Sequence, residues 1–281
     1  MVQGTEDRVI GVLLGLAAGD RIGGPVRMAL AVAESLRDRG TFDPKDIGAR
    51  YIEWWRQGAF DTGPTAGRVL ELGASGMALD DASIQVDAME GGLTAGCNPA
   101  HRSAPLAMLA AIEDSRLPHA AKAEACLTHR HALAGDAAAA VVVLCRALIR
   151  GVSWTDALDL AAADRLAETR RAIGDRRAES LSRAGFAPDV LRAAIFFVHT
   201  SSSFSDALAR SRDFAGASNY SPVLVGSIGG ARWGRGAIAE AEVAHQSDVL
   251  PRLRSVAADL ARGWTNARKG VRKGSVPAID S

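Results

Sequence analysis

Five short stretches of the chain carry residue types that could do chemistry. Asp20 closes the apolar run "GVLLGLAAGD", and Asp61 stands in "GAFDTGPTAG" just ahead of a helical pattern. A carboxylate at either place could activate water or face a developing cation. Each also has a structural reading, Asp20 as a turn residue and Asp61 as a helix-start residue. In "GCNPAHRSAPLAML" (96–109), Asn98, His101 and Arg102 sit in a loop before a helix. Backbone donors at such a helix start suit a phosphate, which Arg102 could pair with. "LTHRHALAGDAAAA" (127–140) offers His129, His131 and Asp136. Two histidines two residues apart face opposite sides of a helix, so they cannot share one metal ion. Finally, in "FAGASNYSPVLVGSIGGARWG" (214–234), a polar, uncharged loop from Gly216 through Asn219 and Tyr220 feeds a helix of small residues. A groove opened by small residues serves a ligand or another helix.

The elements that must position these residues read almost entirely at period 3.6. The pattern predicts helices over 7–19, 27–38, 44–56, 63–74, 104–114, 118–128, 133–150, 154–163, 166–184, 188–199, 203–213, 221–235 and 247–264. Start signals accompany several of them: Asp43 then Pro44, Ser153 before Trp154, Ala187 then Pro188, and Ser247 before the last run. Pro251 falls in the first turn of that run, where a missing donor costs little. No run of alternating β-branched residues stands out, no repeat period is visible, and no proline- or serine-rich linker divides the chain. The expected architecture is a compact, single-domain all-α fold over residues 1–265, followed by a flexible basic tail over 266–281.

Composition narrows the function classes. With 33 basic and 32 acidic residues, a formal net charge of +1 gives no basic surplus for nucleic-acid binding. Arginine supplies nearly all the positive charge, since lysine occurs only at 45, 122, 269 and 273, as in a GC-rich bacterial genome. Cys97, Cys126 and Cys145 lack metal-type spacing and cannot all pair, which points to a reducing cytoplasm. "VIGVLLGLAAG" (9–19) has the length of a signal-peptide apolar region but follows Glu6, Asp7 and Arg8, so it reads as a buried helix. No segment is expected to cross a membrane.

Taken in order, these stretches resemble the ADP-ribosylglycohydrolase family, the dinitrogenase-reductase-activating glycohydrolase and crystallin J1 group, over roughly residues 6–235. "DRVIGVLLGLAAGDRIGG" is similar to the family's opening helix with its Gly-Asp ending. "VRMALAVAESLRDRGTFDPKDIGARYIEWW" resembles the helix pair after its metal motif. "GCNPAHRSAPLAML" is similar to the Gly-Asn-Gly-x-x-Met-Arg-x-x-Pro-Leu loop, and "CLTHRHALAGDAA" to the Thr-His…Asp-Ala segment. The small-residue stretch resembles the Gly-Gly-Asp-x-Asp-Thr loop and the helix behind it. The resemblance implies a compact all-α fold and hydrolysis of an N-glycosidic bond to ADP-ribose, with two Mg²⁺ or Mn²⁺ ions in the cleft.

The departures fall on the metal ligands. Where the family has Thr-Asp-Asp-Thr, this chain reads Gly23-Gly24-Pro25-Val26, behind a shortened loop. The two aspartates of the second set match Ala217 and Asn219, and the threonine matches Tyr220. Cys97 replaces the loop asparagine, with Asn98 one place along. Hard divalent cations need anionic oxygens, so no metal cofactor is expected. What remains are Asp61 and Asp20 as candidate catalytic carboxylates, with Asn98, His101, Arg102, His129, Asp136, Gly216, Asn219 and Tyr220 as candidate substrate-binding residues. Arg102 and the loop from Asn98 would hold phosphate, and Asn219 and Tyr220 would bind ribose hydroxyls. Three functions are compatible with this set. The first is a metal-independent N-glycoside hydrolase for an ADP-ribosyl, NAD-derived or other nucleotide- or nucleoside-type small molecule. The second is a catalytically inactive nucleotide binder or scaffold, and the third an enzyme of specialised metabolism using the pocket for another reaction.

Overall fold

The computed structural model describes residues 4–216 and 219–271. Fifteen α-helices organise them: α1 (Thr5–Gly19), α2 (Gly24–Arg39), α3 (Pro44–Arg56), α4 (Pro64–Ala74), α5 (Leu79–Met89), α6 (Asn98–Arg102), α7 (Leu117–Ala125), α8 (Ala132–Ile149), α9 (Trp154–Ala162), α10 (Ala167–Gly174), α11 (Ala187–Thr200), α12 (Phe204–Ala215), α13 (Ser221–Trp233), α14 (Glu240–Val243) and α15 (Leu250–Val271). The described residues hold no strand beyond a lone antiparallel bridge between Gly96 and Phe186. The fold is all-α around one main core, with a satellite cluster of Val69, Ala82 and Val86 between α4 and α5.

Local signals start the helices as their chemistry dictates. Asp43 accepts from the N–H groups of Lys45 (3.0 Å) and Asp46 (3.1 Å), which are orphan donors of the first turn of α3. Ser153 does the same for Asp156 at the start of α9 (3.2 Å).

The small residues of α13 serve another helix. α1 lies antiparallel against it, its Gly11, Gly15 and Gly19 facing Gly230, Gly226 and Pro222. A Cβ on Gly15 would stand 2.1 Å from the Gly226 carbonyl oxygen, and one on Gly226 would stand 1.9 Å from that of Gly15. Only glycine allows the two backbones this approach. The antiparallel arrangement brings the C-terminus of α1 and the N-terminus of α13 to the same end, which places Asp20 near Tyr220.

α8 is the central helix, packed by α7, α9, α11, α13 and α6. Contrary to the expectation that no segment could cross a membrane, α8 is long and apolar enough by length and composition, with a mean hydropathy of 2.0 over 18 residues. Its apolar surface is used inward, since 83% of it is buried within the protein.

Three sequence expectations need correction. No α-helix forms over 104–114: Ala104–Met108 is a short 3₁₀ helix and Leu109 is extended. The carbonyls that a helix would use go elsewhere. Met108 accepts from Trp264 Nε1 (2.7 Å), and Leu109 and Ile112 accept from the buried Arg146 (2.8 and 3.2 Å). The helix expected over 166–184 stops at Gly174, where Asp175 turns to bind Arg177, leaving Leu181–Gly185 as connecting chain. The last helix begins at Leu250 rather than Ser247 and runs to Val271, past the expected end at 264. Residues 272–281 of the expected tail lie outside the described residues. Helices α5, α6 and α14 have no counterpart in the sequence-based pattern.

Candidate active site

Six separate segments converge on a cavity of about 270 Å³. It is lined by the turn Asp61–Thr65 that opens α4, Pro25 of α2, Gly96–Asn98 and His101 at α6, His129 ahead of α8, Gly185 ahead of α11, and Tyr220 ahead of α13. The bridge between Gly96 and Phe186, with Cys97 N–H donating to the Gly185 carbonyl (3.1 Å), closes one wall.

Asp61 has a left-handed backbone (φ 55°) and is half-buried at the cavity. Aspartate visits this region at less strain than most residues. The conformation turns its carboxylate towards two partners: Oδ1 accepts from the Tyr220 hydroxyl, and Oδ2 accepts a long bond from Gly24 N–H (3.3 Å). Burial and the bond to Asp61 raise the Tyr220 phenol above its ordinary pKa, so the proton stays on tyrosine. The Tyr220 ring stacks on His101, with centroids 5.1 Å apart and planes at 28°.

Asp20 lies behind the cavity rather than on it. It is fully buried, Oδ1 accepting from Ile22 (3.1 Å) and Gly23 (2.8 Å) and Oδ2 from Val26 (2.8 Å). Burial raises its pKa, and the negative charge of Asp61 adds to the rise. Its carbonyl accepts from His245 Nε2 (2.7 Å) and Gln246 Nε2 (2.8 Å). Asp20 therefore shapes the Arg21–Val26 turn and the start of α2, and Asp61 meets the same helix start from the cavity side.

His101 and His129 are buried and neutral. Burial, then the neighbouring Arg102, lowers both to about 3. His101 Nε2 has no hydrogen-bond partner among the described residues, whereas His129 Nδ1 pairs with Thr128 Oγ1 (2.8 Å). Burial pushes the Cys97 thiol up to about 12, so it is not a thiolate nucleophile.

Four residues read as substrate-binding do not line the cavity. Arg102 is fully buried: Nε binds Glu124 Oε1 (2.6 Å), Nη1 binds Asn98 Oδ1, and the guanidinium lies over the Tyr51 ring (5.1 Å). Tyr51 donates to the same Glu124 oxygen (2.7 Å). This network ties α6 to α3 and α7 and leaves Arg102 no free face for a phosphate. Asp136 is buried too, pairing with Lys122 (2.9 Å) and accepting from Leu166 N–H (2.8 Å), which anchors the turn before α10. Asn219 is buried and donates to the Ser182 (3.3 Å) and Ala184 (3.2 Å) carbonyls while accepting from Ser221 N–H (2.9 Å). It holds the wall that carries Gly185. Gly216 ends α12 with a left-handed φ of 60°, and Ala217 lies outside the described residues.

The ADP-ribosylglycohydrolase family profile matches residues 1–270. The chain belongs to the ADP-ribosylglycohydrolase family. A solved structure described as an ADP-ribosylglycohydrolase-related protein complex is similar at 25% identity, with a TM-score of 0.74, covering 92% of this chain and 98% of the other. Among curated proteins none matches the chain. Membership supports a glycohydrolase-type function.

The two divalent ions implied by the family do not fit the residues present. Among the described residues Asp61 is the only carboxylate lining the cavity, and no three histidine, cysteine, aspartate or glutamate side chains are grouped to hold an ion. Mg²⁺ and Mn²⁺ sites are built from several oxygen ligands, carboxylates foremost. Some residues of this site and of its frame were not legible beforehand. Thr62–Thr65 enter because α4 starts at the cavity, a signal present in Gly63-Pro64. Gly185 lies just past a stretch read as helix, and Glu124 was hidden in the alanine-rich "AAKAEAC".

Proposed function

We propose that this protein hydrolyses the N-glycosidic bond of a ribosylated or nucleoside-type small molecule without a metal ion, with Asp61 as the catalytic base. The observation that carries this reading is the lone cavity carboxylate, held through Oδ1 by Tyr220 and left with a loosely bound Oδ2. Cleavage of an N-riboside passes through a cationic sugar, so one anion facing C1′ stabilises the transition state directly. Water's oxygen bonds to C1′, the C1′–N bond breaks with its electron pair going to the leaving nitrogen, and Oδ2 takes the water's proton. His101 and His129, neutral and at the cavity wall, serve sugar hydroxyls. The three free cysteines support a reducing compartment such as the cytoplasm.

The test is product analysis on chelator-stripped protein. A panel of N-ribosides is incubated with the stripped enzyme and released base is measured by mass spectrometry. Release in the presence of excess chelator is expected. Release only after Mg²⁺ or Mn²⁺ is restored, or none from any riboside, overturns the reading.

A further inference from the structure

The cavity's charge pattern is unusual for a site that binds nucleotides. Among the described residues Asp61 is its one charged side chain, since no lysine or arginine lines it. The two partners of Asp61, the Tyr220 hydroxyl and the Gly24 N–H, are neutral, so its negative charge has no counter-ion in the wall. The two histidines that could have supplied positive charge are held neutral by burial. Arg102, one residue from His101, is turned away into its pair with Glu124. Arg21 acts on Tyr220 electrostatically but is exposed and outside the lining.

Of the helix starts at the cavity, α2 gives N–H groups to Asp61 and Asp20 and α13 gives its Ser221 N–H to Asn219, while the start of α4 carries no side-chain cap. The Glu90 carboxylate, bound by the Thr65 hydroxyl (2.7 Å) and by Arg68 (2.6 Å), already places a negative charge beside the first turns of α4. Size points the same way. At about 270 Å³ the cavity lies below the roughly 300–1,000 Å³ of pockets that enclose drug-sized ligands. A diphosphate-linked dinucleotide is larger still. Tyr220, an aromatic face beside an uncompensated carboxylate, suits a flat cation, which ring and anion attract together.

We infer that the substrate is an unphosphorylated glycoside of a cationic nitrogen heteroaromatic, a pyridinium-type riboside, rather than a nucleotide or ADP-ribosyl compound. The inference rests on the hydrolase reading above and names its substrate class. A pyridinium leaves as a neutral base once the C1′–N electron pair returns to the ring, so departure needs neither a proton nor a metal. That matches a site with one carboxylate and no acid poised to protonate the leaving group.

The experiment measures binding by calorimetry and turnover by base release for nicotinamide riboside, its 5′-phosphate, the corresponding adenine dinucleotide, and inosine as a neutral nucleoside. The expected result is at least tenfold tighter binding of nicotinamide riboside than of the other three. The preference over inosine should disappear in Asp61→Asn. Equal or tighter binding of either phosphorylated compound overturns the inference, even where hydrolysis occurs and the hydrolase reading stands. Equal binding of inosine, or no binding of the riboside, overturns it as well. Selective binding of the cation without base release upholds the pocket's selectivity and removes the hydrolase reading instead.

Discussion

Tyr220 donates its hydroxyl hydrogen bond to Asp61 Oδ1 although 159 residues separate them in the chain. The pair joins the turn before α4 to the start of α13, the helix whose glycines pack against those of α1.

The glycine seam gives the first expectation. Gly15→Ala or Gly226→Ala drives a methyl into a backbone carbonyl, with no flexible side chain to yield. Overpacking of a core costs about 1–3 kcal/mol and more where backbone must move. Either variant should lower Tm by several degrees or fail to fold, as calorimetry will report. Gly263→Ala, on the exposed side of α15 with nothing near its Cβ position, should instead raise stability by about 0.5–1 kcal/mol. Equal behaviour of the two classes would contradict the close approach.

Arg102 provides a second. Removing one member of a buried ion pair leaves an uncompensated charge and costs about 3–5 kcal/mol. Arg102→Met should therefore lower Tm markedly, and adding Glu124→Leu should recover part of the loss. Were Arg102 a phosphate ligand, the single variant would raise KM while leaving Tm unchanged. Thermal unfolding beside Michaelis kinetics separates the two outcomes.

The buried histidines set a pH dependence. In the unfolded chain they titrate near pH 6.5, whereas in the fold both lie at about 3. Between these values only the unfolded state takes up their protons, so stability is lost as pH falls from about 6.5 towards 3. Each histidine contributes a slope of about 1.4 kcal/mol per pH unit there. Urea unfolding at pH 7, 6 and 5 should show stability dropping below pH 6.5, and His101→Phe should halve the slope. A flat profile would show that these rings are protonated in the fold.

Much of this architecture could be read beforehand, and the gaps have physical causes. Helices with capped starts, such as the amphipathic α3 and the almost wholly buried α8, matched their patterns closely, because local signals and burial agree there. The regions misread are those where side chains from afar take the backbone's hydrogen bonds. Arg146 and Trp264 claim the carbonyls of Met108–Ile112, and Asn219 claims those of Ser182 and Ala184. No local pattern encodes such partners.

The candidate site divides along the same line. Asp61, Asn98, His101, His129 and Tyr220 were legible as polar residues at helix ends, and all line the cavity. Asp20, Arg102, Asp136 and Asn219 have the same local appearance, yet each is engaged in the frame around it. Sequence marks a polar residue that has a task. Only packing distinguishes a task in the frame from one in the cavity.

The central claim is that Asp61 activates water in a site without metal. The most direct measurement is kcat for Asp61→Asn against the parent protein, both stripped with chelator, with substrate affinity and Tm measured in parallel. The account expects kcat to fall by about 10²–10⁴, the range lost with a general base, while Tm stays within a few degrees. Retention of the parent rate by Asp61→Asn would contradict it.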